Sequence, residues 1–258
     1  MLSRKKARLW HAIIFTSYYT DTCTISLLAR GIKMKLIFNQ CAVFRIKTFF
    51  VSCIIASSLA AAETDIPAPS SFHAVAATAA HIQLLKQGGL VIYMRHGRTD
   101  PRFPDMIPVN LDDCDSQRPL SDAGRQLLDQ IGISFAKLQI PYRTVISSPF
   151  CRAKESAKRV FGEHIKVDIA LRYTAAMPDA EKQPAVERTL KWISKSVEEQ
   201  GYNRIVVAHG PNIAEIMDYL PPESTMIIFR PLGAQGFAYI ASIEPNHWPA
   251  LLQELELE

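Results

Sequence analysis

The 258-residue sequence predicts an α/β fold, a three-layer α/β/α sandwich around a mostly parallel central sheet. Two observations predict it. From residue 72 onward, short apolar runs of strand length alternate with segments of helical periodicity, the pattern of parallel strands joined by crossover helices. Three of the apolar runs, at 90–94, 143–147 and 204–208, end in turns that carry Arg or His. Open α/β sheets collect ligand-binding groups at such carboxyl ends.

Each element has a local justification. An Ala-rich segment over 72–87 reads as a helix stopped by Gly88-Gly89. The first strand, 90–94, leads into an irregular stretch over 98–119 that is rich in Pro and Asp, and a loop of that length is usually functional. Ser121 can cap a helix over 122–138, whose apolar face is Leu127, Leu128, Ile131, Phe135 and Leu138. Strand 143–147 runs into Ser148-Pro149, which opens a helix ended by Gly162. A short strand at 165–168, a helix at 184–200 ended by Gly201 and a strand at 204–208 follow. Pro211 opens a helix toward Tyr219, 236–243 closes the sheet, and Leu251 to Glu258 reads as an acidic tail or frayed helix.

The strand ends carry the chemistry. Arg95-His96-Gly97 follows the first strand and His209-Gly210 follows the strand at 204–208. Arg152 falls on the first helical turn after Ser147-Ser148-Pro149, where helix amides also face anions. A guanidinium grips phosphate oxygens as a fork, and a neutral imidazole can attack phosphorus. His96 is therefore the expected nucleophile, with Arg95, Arg152 and His209 on the non-bridging oxygens. Gly97, Arg98, Ser148 and Gly210 are expected to border the bound phosphate. The competing reading for any one of these residues is a packed histidine, a solvated arginine or an ordinary turn glycine.

Arg95-His96-Gly97, Leu120-Ser121-Asp122-Ala123-Gly124, Ser147-Ser148-Pro149 with Arg152-Ala153, and His209-Gly210 resemble, in order and spacing, the motifs of the histidine phosphatase superfamily. The resemblance runs from about residue 90 to about 240 and implies a phosphoglycerate mutase-like fold. It also implies hydrolysis of a phosphomonoester through a phosphohistidine on His96, with no cofactor and no metal. Many relatives place a glutamate after the third strand, where this chain has Ala170-Leu171-Arg172-Tyr173. The acid-phosphatase branch places Asp after its second His, where this chain has Gly210-Pro211-Asn212. The proton donor is thus open among Asp100, Asp105, Asp113 and Glu181. Two other functions stay in view: a catalytically impaired phosphate-binding or interaction module, and a phosphomutase.

The first 62 residues differ from the rest. Met34 is a plausible true start, followed by a basic flank, an apolar run over 48–56 and Ala60-Ala61-Ala62, the parts of a signal peptide cleaved after Ala62. Residues 1–62 are then extension plus signal, and 63–258 the folded domain, periplasmic or secreted, with no stable membrane span after cleavage. That cleavage removes nine Lys and Arg and one Asp, which turns a net charge of +4 into −4. The basic balance therefore belongs to the leader and gives no reason to expect a nucleic-acid partner. The expected partner is a phosphorylated small molecule or an envelope glycan phosphate, the latter from an outline resemblance to lipopolysaccharide core heptose-phosphate phosphatases. Cys114 and Cys151 remain after cleavage, an even pair that reads either as a disulfide, contributing up to about 4 kcal/mol, or as two small unpaired hydrophobes.

Overall fold

The computed structural model describes residues 72–257 other than Ala176, and the backbone of three N-terminal strands, β1 (Phe15–Tyr19), β2 (Thr22–Ala29) and β3 (Ile32–Phe38). These three form an antiparallel sheet in the order β1-β2-β3 within a unit that is separate from residues 66–258. Met34 falls in β3. The apolar run over 48–56 and the Ala62 boundary lie outside the described residues.

The larger unit is a six-stranded mixed sheet with helices on both faces. Its elements are α1 (Ala79–Gln87), β4 (Val91–Arg95), α2 (Asp122–Leu138), β5 (Tyr142–Ser147), α3 (Cys151–Phe161) and β6 (Lys166–Val167), then α4 (Asp179–Ser194), β7 (Asn203–Ala208), α5 (Gly210–Met217), β8 (Met226–Pro231), β9 (Phe237–Ile243) and α6 (Trp248–Glu254). The strand order is β6-β5-β7-β4-β8-β9. β6, β5, β7 and β4 pair in parallel, while β8 runs antiparallel to β4 and β9 antiparallel to β8.

Strand alternation divides the core between two faces. Ile92, Met94, Ile205, Val207 and Ile228 point to one face and pack with Leu128, Ile131 and Phe135 of α2. Val91, Tyr93, Val206, Ala208, Ile227 and Phe229 point to the other and pack with Ile193 of α4 and Ile213 of α5. The central strands are buried on both sides, which is why they read as unbroken apolar runs. Among the described residues, no helix is long and apolar enough to cross a membrane.

Three expected elements differ from those observed and one observed strand was not expected, each for a physical reason. Residues 72–78 do not continue the helix toward α1. Val75 and Ala77 instead exchange backbone hydrogen bonds with Ser242 on β9, and Thr78 caps α1. α4 begins five residues before Pro184 and ends at Ser194, because Arg204 donates to the carbonyls of Trp192, Lys195 and Ser196 and so captures the end of the helix. β8 was not anticipated from Met226-Ile227-Ile228-Phe229, a run too short for periodicity to assign. The C-terminal segment is no solvated tail in its first half, since Trp248 and Leu251 of α6 are buried in the core.

Candidate active site

β4 and β7 are parallel neighbours with Arg95 opposite Ala208, so His96 and His209 emerge side by side where the two strands end. Their rings meet edge to face with centroids 5.3 Å apart. His96 N–H donates to the Ala208 carbonyl at 2.9 Å, which ties the two strand ends together.

Each imidazole is held in one tautomer. His96 Nδ1 lies 2.8 Å from the Gly97 carbonyl, a group that can only accept, so Nδ1 carries the proton and Nε2 keeps a free lone pair. His209 Nε2 lies 2.7 Å from Ser148 Oγ. That hydroxyl accepts from Phe150 N–H, and we assign its own proton to His209 Nε2, which leaves the ring proton on Nδ1. The backbone of His209 is clamped by Tyr93, whose Oη donates to the His209 carbonyl at 2.8 Å and accepts its N–H at 3.0 Å. Burial pushes both imidazoles well below the ordinary histidine value. The Arg152 charge adds to this at His96, and His96 followed by Arg152 at His209. Both rings are neutral at neutral pH.

The cations converge on the same place. Arg152 enters from the first turn of α3 with its side chain fully buried, its guanidinium carbon 4.5 Å from the Phe150 ring centroid and 5.3 Å from that of Tyr173. Its Nη1 donates to Asp105 at 2.8 Å. Its Nε and Nη2 are buried without a protein acceptor among the described residues, as are Arg95 Nε, Arg118 Nε and His209 Nδ1. Burial, then repulsion from Arg118, lowers the Arg95 and Arg152 guanidiniums, against opposing pulls from Glu223 and Asp105 respectively. They nevertheless stay charged. Buried cationic donors of this kind are costly unless an anion satisfies them.

A Cβ at Gly210 would stand 2.9 to 3.0 Å from Arg95 Cδ, Nε and Nη1, so a larger residue there would displace the Arg95 guanidinium. At Gly97 a Cβ would strike Leu128 of α2, and the Gly97 N–H is taken by Ser156 Oγ at 2.9 Å, so the glycine is needed for packing. Ser148 sits beneath His209 and orients it. Arg98 is exposed and is tied through its carbonyl to Ser121 N–H, while Arg118 supplies the additional positive charge near both imidazoles.

The candidate acids separate by position. Asp100 is held by Arg102 through hydrogen bonds of 2.6 to 3.1 Å, which lower its carboxyl. Asp113 caps the 3₁₀ turn Cys114–Ser116. Asp105 accepts from Arg152 and from Arg118 N–H on one oxygen. Asp105 and Glu181 both line a cavity of about 230 Å³ beside Phe150 and Tyr173. A fifth acid, Glu223, escaped the sequence reading. Its carboxylate is 3.7 Å from Arg95 Nη2 and 4.0 Å from His96 Nδ1, and accepts from Thr99 Oγ1 at 2.9 Å. Ser224 behind it takes a left-handed φ of 70°.

The loop over 100–118 is fastened to α3 three times. A disulfide joins Cys114 to Cys151, Gln117 Oε1 accepts the Cys151 N–H at 2.9 Å, and Asp105 pairs with Arg152.

No family model and no curated protein matches the chain. Solved structures similar in fold include the protein histidine phosphatase SixA complexed with tungstate, at 16% identity and TM-score 0.42, covering 61% of this chain and 98% of that one. A phosphoserine phosphatase from Entamoeba histolytica aligns at 12% identity and TM-score 0.41, covering 62% and 98%. The ecdysone phosphate phosphatase of Bombix mori, also with tungstate, aligns at 14% and 0.39, covering 61% and 93%.

The depressed imidazoles give a prediction. A histidine that is neutral when folded binds its proton only in the unfolded chain as pH falls below about 6.5, so stability holds above that pH and declines beneath it. In an NMR pH titration the His96 and His209 ring signals should stay at neutral-imidazole positions from pH 8 down to about pH 6. Titration of either ring near 6.5 would contradict the burial argument.

Proposed function

We propose that the protein is a phosphatase that hydrolyses the phosphomonoester of a small molecule through a phosphohistidine on His96. The observation that carries this reading is the set of buried, unpaired N–H donors on Arg95, Arg118, Arg152 and His209, gathered around a neutral imidazole with a free Nε2. A phosphoryl group offers the oxygens those donors need, and its charge develops where they point.

In the first step the Nε2 lone pair of His96 forms a bond to phosphorus while the ester P–O bond breaks. The ring becomes cationic, its Nδ1–H remains on the Gly97 carbonyl, and the Glu223 carboxylate 4.0 Å away offsets the new charge. The departing oxygen takes a proton from the cavity side, where Glu181 is the carboxyl not already bound to an arginine. In the second step water attacks phosphorus and returns a proton to the Glu181 carboxylate, the P–N bond breaks, inorganic phosphate leaves and His96 returns to neutral. Arg152 and Arg95 hold the non-bridging oxygens through both steps, and Asp105 keeps the Arg152 fork in place.

Export of the protein is part of the proposal, supported by the leader composition and by a disulfide suited to an oxidising compartment. N-terminal sequencing of the exported protein should begin at Glu63; an intact N-terminus on soluble cytoplasmic protein would refute it.

Hydrolysis of p-nitrophenyl phosphate in EDTA tests the chemistry. Wild-type protein should turn over, His96→Ala should not, and Arg152→Ala should lose about 10²–10³-fold in kcat/KM. Glu181→Gln should slow alkyl phosphates by about 10²-fold and p-nitrophenyl phosphate, whose leaving group needs no proton, far less. Activity that survives in His96→Ala would refute the nucleophile. Phosphate binding without turnover would favour the binding-module reading.

A further inference from the structure

We infer that the cavity beside the phosphate site is a leaving-group subsite for a single neutral aromatic ring, so that the substrate is an aryl or arylmethyl phosphomonoester. The inference rests on the phosphatase reading and adds the substrate class. The cavity shares its inner wall with the phosphate site. Phe150 and Tyr173 line it, and the same two rings contact the Arg152 guanidinium and His209, with ring centroids 5.0 and 5.4 Å from the imidazole. A group bonded to a phosphoryl held by Arg152 and His209 has this space immediately beside it.

Size and lining select the occupant. About 230 Å³ is smaller than the roughly 300 Å³ at which pockets for drug-sized ligands begin, and has room for about one ring. Ile107, Pro108, Val109, Met177 and Pro178 supply the remaining apolar surface, with a flexible thioether and two flat aromatic walls suited to a ring face or edge. The polar lining is Asp105, Arg172 and Glu181, of which Asp105 is already engaged by Arg152. A polyol entering here would strip water from several hydroxyls and find few partners, which disfavours sugar leaving groups. The two charged groups left, Arg172 and Glu181, are opposite in sign, so the lining offers no net charge to a second ionic group on the substrate. The mouth is apolar as well: Ile107 is 86% exposed, and the same loop exposes Phe103 and Met106.

The test compares kcat/KM for benzyl phosphate, ethyl phosphate and glycerol 1-phosphate; the benzyl and ethyl leaving groups are similar in basicity, and glycerol's is the better leaving group, which weights the comparison against the aromatic ester. The full-length protein should favour benzyl phosphate over the other two by about tenfold or more. Met177→Ala and Ile107→Ser should reduce that preference to about threefold while leaving ethyl phosphate within about twofold of wild type. Equal rates on benzyl and ethyl phosphate, a preference for glycerol 1-phosphate, or an unchanged preference in both variants would overturn the subsite. If no ester is hydrolysed the phosphatase reading fails separately, and calorimetry with benzylphosphonate and ethylphosphonate decides the subsite. Tighter binding of the benzyl compound by about tenfold supports it, and equal or absent binding overturns it.

Discussion

The fully buried guanidinium of Arg152 is the constraint around which this site is built. A charge removed from water needs compensation, and the protein supplies only part of it: one carboxylate oxygen from Asp105 and the faces of two aromatic rings. The remaining donors, Nε and Nη2, are buried without a protein acceptor among the described residues, as are donors on Arg95, Arg118 and His209. The site is therefore incomplete electrostatically in a way that an anion corrects. Burial, reinforced by the same field, keeps His96 and His209 neutral, so the cations that would hold a phosphoryl group also help to preserve the lone pair that would attack it.

Much of the surrounding structure holds Arg152 and its counter-ion in place. Asp105 lies on a long irregular loop, which would leave a buried ion pair to chance if the loop were free. The Cys114–Cys151 disulfide and the Gln117 contact fix that loop to the first residue of the helix that carries Arg152. Beneath it, Ser148, just past the end of β5, sets the His209 ring, and Tyr93 on the doubly buried β4 sets its backbone. Catalytic geometry placed on rigid strand ends, with one stapled loop above, is held more tightly than a site built on loops alone.

Local signals in the sequence were easy to read and long-range ones were not. Ser121 caps α2, Gly162 ends α3, and the Arg-His-Gly and His-Gly turns mark the ends of β4 and β7, because each of these depends only on neighbours in sequence. The four residues singled out for phosphate, Arg95, His96, Arg152 and His209, are brought together by parallel pairing that strand alternation implies. The failures share a different cause. The end of α4 depends on Arg204, which reaches back from the following strand, and residues 72–78 depend on β9, more than 160 positions away. Glu223 was invisible for the same reason as β8. An antiparallel strand starts where its neighbour, here β4, ends, so the residues before Met226 arrive beside His96 only once that pairing is known.

A crystal structure with orthovanadate tests the central claim most directly, since vanadate adopts the five-coordinate geometry of a phosphoryl group in transfer. The account predicts vanadium bonded to His96 Nε2, with its equatorial oxygens on Arg152 Nε and Nη2, Arg95 Nε and His209 Nδ1. Vanadate bound away from His96, or a soaked crystal in which those donors hold no anion, would contradict it.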